Sequence, residues 1–470
     1  MDNSTKSVVH RLSDPLKLIG PFQKFVEQES IAGLFLIVMA IIAMIWANSP
    51  FYPEYEALWN TPLGVHVGDF HFVKPLLFWI NDGLMTVFFF YIGLELKREL
   101  IVGDINTPRK ALFPFIAALG GAVVPIFLYL TLNDNPETVR GWGVPMATDV
   151  AFALGVLYML GNRVPVSLKV FLTAFAIIDD LFAVLVIAVF YGGHEIDGRL
   201  LLYAMVLISL LGVINNMFRY STLVGFAIAV VVWYLFYQAG IHPTVAGVIL
   251  AFTIPMRRRV NLRTLSIYLN DISQKILNKL DDHEQRLLTK EEINCIQNIE
   301  NLTYDVRSPL QFLEYRLHRF ISYGILPIFA LANAGVHIDS IANVNMAMIG
   351  VIVVSLVVGK FVGILSFSWL GLKLGITTLP GHMKFHHMVG VSAIAGIGFT
   401  MSIFIAILAF GHESVYLNSA KLGVVLGSTI AGIIGYTILR VYGDKEGLPQ
   451  EAVEEFEVVQ VHGCAKPQDK

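Results

Sequence analysis

Residues 169–191 read KVFLTAFAIIDDLFAVLVIAVFY, an apolar run of membrane length with two adjacent carboxylates, Asp179 and Asp180, near its centre. Each ionised acid at the bilayer centre costs about 2.5–3.5 kcal/mol on insertion scales. The fourteen Val, Ile, Leu and Phe residues of the run favour insertion by about 0.3–0.6 kcal/mol each. The free energy of inserting this segment is therefore close to zero, so stability in the membrane does not explain why both acids are present. Acids in such a position usually belong to an ion or proton pathway, whereas the structural alternative is a hydrogen bond between helices.

The composition of the whole chain is typical of a membrane protein. Hydrophobic residues make up 55% of the 470 residues, charged residues only 15%, and the mean hydropathy is +0.65. Apolar runs recur that approach the roughly 20 residues needed to cross a bilayer. We predict an all-α polytopic membrane protein with about twelve transmembrane spans, at about 31–48, 75–97, 111–132, 146–161, 169–191, 199–215, 220–238, 243–255, 317–335, 346–370, 387–410 and 417–439.

The positions of Lys and Arg predict the orientation of these spans. Both residue types concentrate in alternate connecting segments, so the positive-inside rule places both termini in the cytoplasm. The predicted organisation is a cytoplasmic segment at 1–30, spans 1–8 within 31–255, a charged cytoplasmic helical hairpin at 256–316, spans 9–12 within 317–440, and an acidic cytoplasmic tail at 441–470. For the hairpin, a regulatory docking role and a solvated insertion that packs on itself both remain open.

One lysine also lies within a predicted span. Lys360, in VVGKFVGI (357–364), is the only cationic side chain in the interior of a predicted span. A lone buried ammonium is strongly unfavourable, so we expect it to pair with a buried aspartate, either Asp179 or Asp149. The alternative is a side chain that extends to the membrane surface.

Two predicted spans show signs of a break. The fourth is short and follows Pro145, and its Thr148 and Asp149 are placed as in a helix N-cap. The eleventh is interrupted by three glycines, Gly390, Gly396 and Gly398. Interrupted spans in corresponding positions of two halves indicate a transporter ion site, because helix ends direct their dipoles at the ion. Spans 3–5 and 10–12 are the candidate repeat.

Several segments resemble the NhaA-type sodium/proton antiporters. They are WINDGLMTVFFFYIGLELKREL (79–100), ATDVAFALGVL (147–157), AIIDDLFAVLVIAVFY (176–191), ILPIFALANAGV (325–336) and GIGFTMSIFIAILAF (396–410). The match is collinear over nearly all of residues 20–440. It implies inverted-topology repeats with broken spans 4 and 11, as in that family.

The resemblance also implies a function. It is secondary active exchange of Na⁺ or Li⁺ for more than one proton, electrogenic and pH-regulated, in the bacterial inner membrane, for sodium and pH homeostasis. The implied partners are the transported ions, membrane lipid and a second copy in a homodimer, which a β-hairpin at 51–74 would support. We expect no enzymatic activity, no cofactor and no nucleic-acid partner.

The resemblance assigns roles to the buried polar residues. By motif position, Asp179 and Asp180 correspond to the family's essential acid pair, Thr148 and Asp149 to its unwound fourth helix, and Lys360 to the lysine of its tenth span. We expect all five to bind ions or exchange protons, with Na⁺ at Asp180, Asp179 and Thr148. Because burial favours the neutral form of a carboxylic acid, such a site can hold a proton or a hard cation in turn. Mutually exclusive occupancy with alternating access gives antiport.

Four further residues correspond to the family's pH-response region. Glu95, Arg98 and Glu99 lie at the end of the second span, where Glu95 and Glu99 form a like-charge pair four residues apart. His242, in GIHPTVAGV, matches a histidine that the family associates with pH response. The alternatives are an ordinary basic membrane anchor for the first three residues and a structural role for the histidine.

A sodium-coupled solute symporter is the main functional alternative. It would differ in whether Na⁺ or Li⁺ alone is enough to dissipate a proton gradient. An intramembrane aspartyl protease would place two acids on separate facing helices, typically with a Gly-x-Gly-Asp motif, which IVGD at 101–104 does not match.

Overall fold

The computed structural model describes residues 20–103, 106–192, 196–217, 220–257, 308–337, 344–381, 383–411 and 415–443, together with a few residues between 265 and 297. Apart from one β-hairpin, the regular structure of these residues is helical, which confirms the predicted fold class. α-Helices lie at Gly20–Ala47, Tyr52–Trp59, Leu76–Phe78, Met85–Ile101, Pro108–Leu132, Val150–Met159, Val166–Phe190, Gly198–Met217, Thr222–Gln238, Pro243–Thr253, Pro309–Phe320, Leu326–Asn333, Met346–Val354, Lys360–Lys373, Phe385–Ile394, Phe399–Phe410 and Val415–Tyr442.

Less regular helical segments complete or precede several of these helices. Three π-helical segments each join two α-helices into one longer helix: Trp79–Leu84, Ile321–Ile325 and Ser355–Gly359. Two 3₁₀-helices lie at Val139–Met146 and Gly161–Arg163. Wide turns of the π type are frequent at functional sites, and Ser355–Gly359 ends directly before Lys360.

Among the described residues, length and composition identify fewer membrane spans than the twelve that we predict. In the described part of the chain, 7 helices are long and apolar enough to cross a membrane, or up to 9 if each of two bent pairs counts as one span. Three other predicted spans fall on Thr222–Gln238 and Pro243–Thr253, which are shorter, and on residues 309–333. The predicted number of twelve is therefore not confirmed.

Both predicted breaks are present, with different boundaries. The fourth span begins at Val139 as a 3₁₀-helix, is extended at Ala147, and continues as the α-helix Val150–Met159. The prediction of a start at residue 146 was wrong, because the glycine- and proline-containing 3₁₀ segment has no apolar periodicity. The eleventh span bends by 45° between Phe385–Ile394 and Phe399–Phe410. Gly390 lies inside the first of these helices and not in the break.

The predicted hairpin at 51–74 is present but shorter. Residues Tyr52–Trp59 form a helix, and the strands β1 (Pro62–Val67) and β2 (Phe70–Pro75) pair antiparallel.

The predicted cytoplasmic helical hairpin at 256–316 lies mostly outside the described residues, as does the tail at 441–470, so both stay predictions. The helix Pro309–Phe320 crosses the predicted boundary at 316.

The chain forms two compact units. One consists of the described residues of Met1–Leu84, Asp104–Tyr191 and Ser322–Lys470, and the other of those of Met85–Gly103 and Gly192–Ile321. The first unit contains both broken spans. The second contains the end of the second span and the helix Pro309–Phe320.

Within the first unit, two glycines bring two helices into backbone contact. A Cβ atom on Gly363 would overlap the carbonyl oxygen of Gly120, and one on Gly120 would overlap the carbonyl oxygen of Gly363. Small residues at such crossings let membrane helices approach closely. Because Gly363 lies three residues from Lys360, this contact fixes the position of the helix that carries the buried ammonium.

We expect Gly363→Ala to destabilise the protein, since the added methyl group forces the two backbones apart. Overpacking of this kind typically costs about 1–3 kcal/mol, which should lower the midpoint of thermal unfolding in detergent. Gly350→Ala is the matched control, because a Cβ atom at Gly350 meets nothing within 4 Å. Equal midpoints for the two variants would contradict the close contact.

Candidate functional site

A fully buried ion pair lies in the first unit. The Nζ atom of Lys360 donates a hydrogen bond to Oδ2 of Asp179 at 2.8 Å, and both side chains are 0% exposed. The same Nζ donates to Oγ1 of Thr148 at 2.9 Å and lies 5.7 Å from the ring centroid of Phe175. The predicted pairing of Lys360 with Asp179 is confirmed. The counter-charge explains how a lysine is accommodated inside a span.

The two adjacent acids of Val166–Phe190 have different surroundings. Successive residues of a helix point about 100° apart, so Asp179 and Asp180 cannot both face Lys360 in the same way. Asp180 is buried and acts on the Lys360 ammonium electrostatically. The Oδ2 atom of Asp179 accepts the hydrogen bond from Lys360, and Thr148 also interacts with this carboxylate. Asp179 is therefore engaged by both Lys360 and Thr148.

Asp149 connects the two broken spans. Its Oδ1 atom accepts a hydrogen bond from the backbone N–H of Phe152 at 3.0 Å, which makes it the N-cap of Val150–Met159. Its Oδ2 atom accepts hydrogen bonds from the backbone N–H of Thr400 at 3.0 Å and from the Thr400 hydroxyl at 2.5 Å. One carboxylate thus satisfies N–H groups at the start of two different helices, where a negative charge is also favoured by the helix dipoles.

Backbone and hydroxyl groups add further bonds between the same two breaks. The Thr148 hydroxyl donates to the carbonyl oxygen of Ala395 at 2.9 Å, and the Asp149 N–H donates to that of Ile397 at 2.7 Å. On a third helix, Oγ of Ser428 accepts hydrogen bonds from the N–H groups of Gly398 and Phe399. Backbone groups that the breaks release from their helices are satisfied in this way inside the protein.

The five predicted ion-site residues lie around the Lys360 ammonium and the break in the fourth span. Thr148, Asp179 and Lys360 are joined directly, Asp180 is adjacent along its helix, and Asp149 is one residue from Thr148. Sequence reasoning missed Thr400, although its signal was present: a hydroxyl residue just after the glycines of a broken span, where a second helix begins. The Asp149 carboxylate is bonded to the N-termini of two helices. Lys360 pairs with Asp179 and not with Asp149.

The arrangement suits a small hard cation, because hydroxyl and carboxylate oxygens lie close together. Among the residues that the structure describes, no three or more His, Cys, Asp or Glu residues are grouped so that they could hold a metal ion.

A second polar cluster lies in the other unit, at the end of the second span. Arg98 forms ion pairs with Glu99 and with Glu314, each at 2.7 Å. Glu95 interacts electrostatically with Glu314, Arg98 and Glu99. We call these four residues the Arg98 cluster. Sequence reasoning missed Glu314, because the predicted boundary assigned it to the cytoplasmic insertion.

A hydrogen bond next to the Arg98 cluster adds a histidine. The hydroxyl of Tyr91 lies 3.0 Å from Nδ1 of His318. His318 follows Glu314 by four residues on Pro309–Phe320, so both side chains lie on the same face of that helix. Sequence reasoning missed His318, although a glutamate and a histidine four residues apart could have indicated a polar helix face.

His242 does not join the Arg98 cluster. It precedes the helix Pro243–Thr253, and its Nδ1 atom lies 2.9 Å from Oγ1 of Thr244. Lys97, next to Arg98, contacts the other end of that helix, where its Nζ donates to the carbonyl oxygens of Phe252 and Ile254. The 11 residues of the helix rise about 16 Å. The four pH-response candidates therefore lie in two places, with Glu95, Arg98 and Glu99 close together and His242 apart from them, and their role stays a prediction.

Comparison with known proteins covers all of these residues. The sequence model of the family described as Na⁺/H⁺ antiporter 1 matches residues 23–439. The Na⁺/H⁺ antiporter NhaA 1 of Saccharophagus degradans is 43% identical over 433 residues, which are 92% of this chain and 93% of that protein. The Na⁺/H⁺ antiporter NhaA of Phocaeicola vulgatus is 41% identical over 451 residues, 94% of this chain and 99% of that protein. That of Oleidesulfovibrio alaskensis is 42% identical over 434 residues, 90% and 94% of the two chains.

Proposed function

Because this chain belongs to the Na⁺/H⁺ antiporter 1 family and is a multi-pass membrane protein, we propose that it exchanges Na⁺ for protons across the bacterial inner membrane. The observation that carries the proposal is the buried Lys360–Asp179 ion pair, with Asp180 next to it and Thr148 bonded to the same ammonium. Such a charged group inside a span is maintained against a large desolvation cost, which favours a role in transport.

Competition for the same oxygens couples the two ions. Na⁺ that binds Asp180 and Asp179 competes with a proton for Asp180 and with the Lys360 ammonium for Asp179. When Na⁺ occupies the site, Lys360 loses its counter-charge and its charged form becomes unfavourable. Cation binding therefore favours the release of a proton from Asp180 and of another from Lys360. Two exchangeable protons for one Na⁺ would make transport electrogenic.

Asp149 and Thr148 have a positioning role in this proposal. Asp149 caps two helices at once, and Thr148 bonds both to Lys360 and to the carbonyl oxygen of Ala395. The two breaks are held together by these bonds, and they can move as one body when the site changes its access from one side to the other. Transporters of this architecture use such movements around a fixed site.

Vesicle measurements test this function and separate it from the symporter alternative. Purified protein in proteoliposomes with an acidic interior and no organic solute should release protons from the interior when Na⁺ is added outside. If exchange is electrogenic, its rate should depend on the membrane potential, which valinomycin and a chosen potassium gradient set. Li⁺ in place of Na⁺ tests the second proposed substrate. A requirement for an added solute would favour a symporter instead.

We also propose that the Arg98 cluster regulates exchange with pH. Three acids surround one guanidinium, so the cluster's charge depends on how many of them are protonated. Glu314 is ion-paired with the Arg98 guanidinium at 2.7 Å, so a proton on Glu314 would remove one of the two ion pairs of Arg98. A change of charge here would weaken or strengthen the ion pairs that join the second span to the helix Pro309–Phe320.

Glu314→Gln should move the pH dependence of exchange to higher pH, by a shift on the order of one pH unit. The glutamine fixes the neutral state, so the variant reaches the wild-type charge only after another acid in the cluster loses its proton. The rate of Na⁺-dependent proton release in vesicles, measured from mildly acidic to alkaline pH, checks this. Glu56→Gln, at an exposed acid, is the control, and a profile for Glu314→Gln that matches it would contradict the proposal.

The remaining features are proposals that follow from the family resemblance. Both termini would lie in the cytoplasm, in agreement with the positive-inside rule. The strands β1 and β2 would support a homodimer, since both edges of a two-stranded sheet are open to pairing with another chain. Sodium and pH homeostasis would be the resulting role in the cell.

A further inference from the structure

The β-hairpin has one face that packs on the protein and one that faces outward. Successive residues of a strand point to opposite faces. Phe72 is buried and its ring lies edge-on against Phe78 and Trp79, and the Trp79 indole donates to the carbonyl oxygen of Leu63. The neighbouring residue in β2, His71, therefore lies on the opposite face and is exposed.

Two histidines meet on this exposed face. His71 pairs directly with His66 across the strands, and the Nε2 atoms of the two rings are 3.2 Å apart. The ring centroids are 3.9 Å apart, so the rings are closer at their Nε2 atoms than at their centres. The turn between the strands contains Gly68 with a φ of 56°, which permits the tight reversal that brings them together.

We propose that His66 and His71 form a binding site for a divalent transition-metal ion, of which Zn²⁺ is the probe. Zn–N bonds of about 2.0–2.1 Å to nitrogens 3.2 Å apart enclose an angle of about 100°, close to the tetrahedral value. Imidazole suits Zn²⁺, Cu²⁺ and Ni²⁺, and it is the commonest side-chain ligand for such metals. The contact between the two Nε2 atoms is a hydrogen bond in which one ring donates, and a bound ion would displace that proton, with solvent molecules as the remaining ligands.

This site is separate from the proposed transport function in both chemistry and position. Its ligands are nitrogen atoms, whereas Na⁺ prefers oxygen. The ion would link strands β1 and β2 next to their turn and hold the hairpin in the observed register. Exchange activity does not require it, so activity serves as a check that each variant is folded.

Calorimetric titration of Zn²⁺ tests the site. The full chain is purified in detergent without a polyhistidine tag, as wild type and as His66→Ala, His71→Ala and the double variant. We expect each single variant to bind Zn²⁺ at least about tenfold more weakly, since even loss of a residue that only supports a ligand costs roughly 10–100-fold. The double variant should bind no more tightly than either single variant, because it lacks both ligands.

A spectroscopic measurement adds an independent criterion. With Cu²⁺ as the probe, electron paramagnetic resonance of the wild type should show hyperfine coupling to two imidazole nitrogens, and His71→Ala should show coupling to one. His386→Ala controls for binding to other histidines and should match the wild type. The proposal is overturned if wild-type protein binds no Zn²⁺, or if the two single variants bind it as the wild type does.

Discussion

Asp180→Asn should abolish Na⁺-dependent proton movement in vesicles while the protein remains folded and inserted. The substitution keeps the shape of the side chain and removes the charge that would bind Na⁺ and the group that would exchange a proton. It should not destabilise the protein, since an ionised acid at this depth costs about 2.5–3.5 kcal/mol on insertion scales. The measurement is proton release on addition of Na⁺, at equal amounts of inserted protein.

Asp197→Asn is the matched control for Asp180→Asn. Asp197 is an exposed acid whose Oδ1 accepts a hydrogen bond from the backbone N–H of Arg199 at 2.9 Å, a bond that asparagine can also accept. The same chemical change should therefore leave exchange intact at that position. Near wild-type exchange in Asp180→Asn would show that Asp180 is not an ion ligand.

Lys360→Met should destabilise the protein strongly, and Asp179→Asn in the same chain should recover most of the loss. Methionine fills the volume of the lysine stem but leaves the Asp179 carboxylate buried without its counter-charge. Breaking one side of a buried ion pair typically costs about 3–5 kcal/mol, whereas replacing both charges can be nearly neutral. Thermal unfolding in detergent of both single variants and the double variant measures the coupling between the two residues.

Transport should remain impaired in all three of these variants, because each lacks an ion-pairing or proton-exchanging group. Stability and activity should therefore separate in the double variant, which a purely structural ion pair would not produce. Lys373→Met, at an exposed lysine in the last turn of the same helix, is the control and should change neither property. If the effects of Lys360→Met and Asp179→Asn on stability simply add, the two residues do not interact.

The sequence alone predicted the fold class and most of the candidate site. A span is recognised from the length and hydropathy of one continuous segment, so the helix around Asp179 needed no tertiary information. The same local reasoning found Asp149 as an N-cap and the two broken spans. It misplaced the start of the fourth span, because a 3₁₀ segment with glycine and proline has no pattern that distinguishes it from a loop.

Contacts between distant segments required the tertiary structure. The sequence left Lys360 with two possible partners, and the choice of Asp179 depends on how helices 181 residues apart are packed. The bond between Asp149 and Thr400 joins residues 251 apart, and although each residue stands at the start of a helix, nothing in either local pattern shows that the two helices meet.

The pH-response candidates and the paired histidines of the hairpin illustrate the same division. The resemblance named both His242 and Glu95 as pH-response candidates, and only the structure showed that His242 lies at the opposite end of the helix Pro243–Thr253 from the carbonyl groups that bind Lys97. Conversely, His66 and His71 carry no motif, and the strand register alone makes them neighbours. Hydropathy and capping are properties of nearby residues and can be read along the chain. Pairing depends on the packing of complete helices and strands, which is decided only when the chain folds.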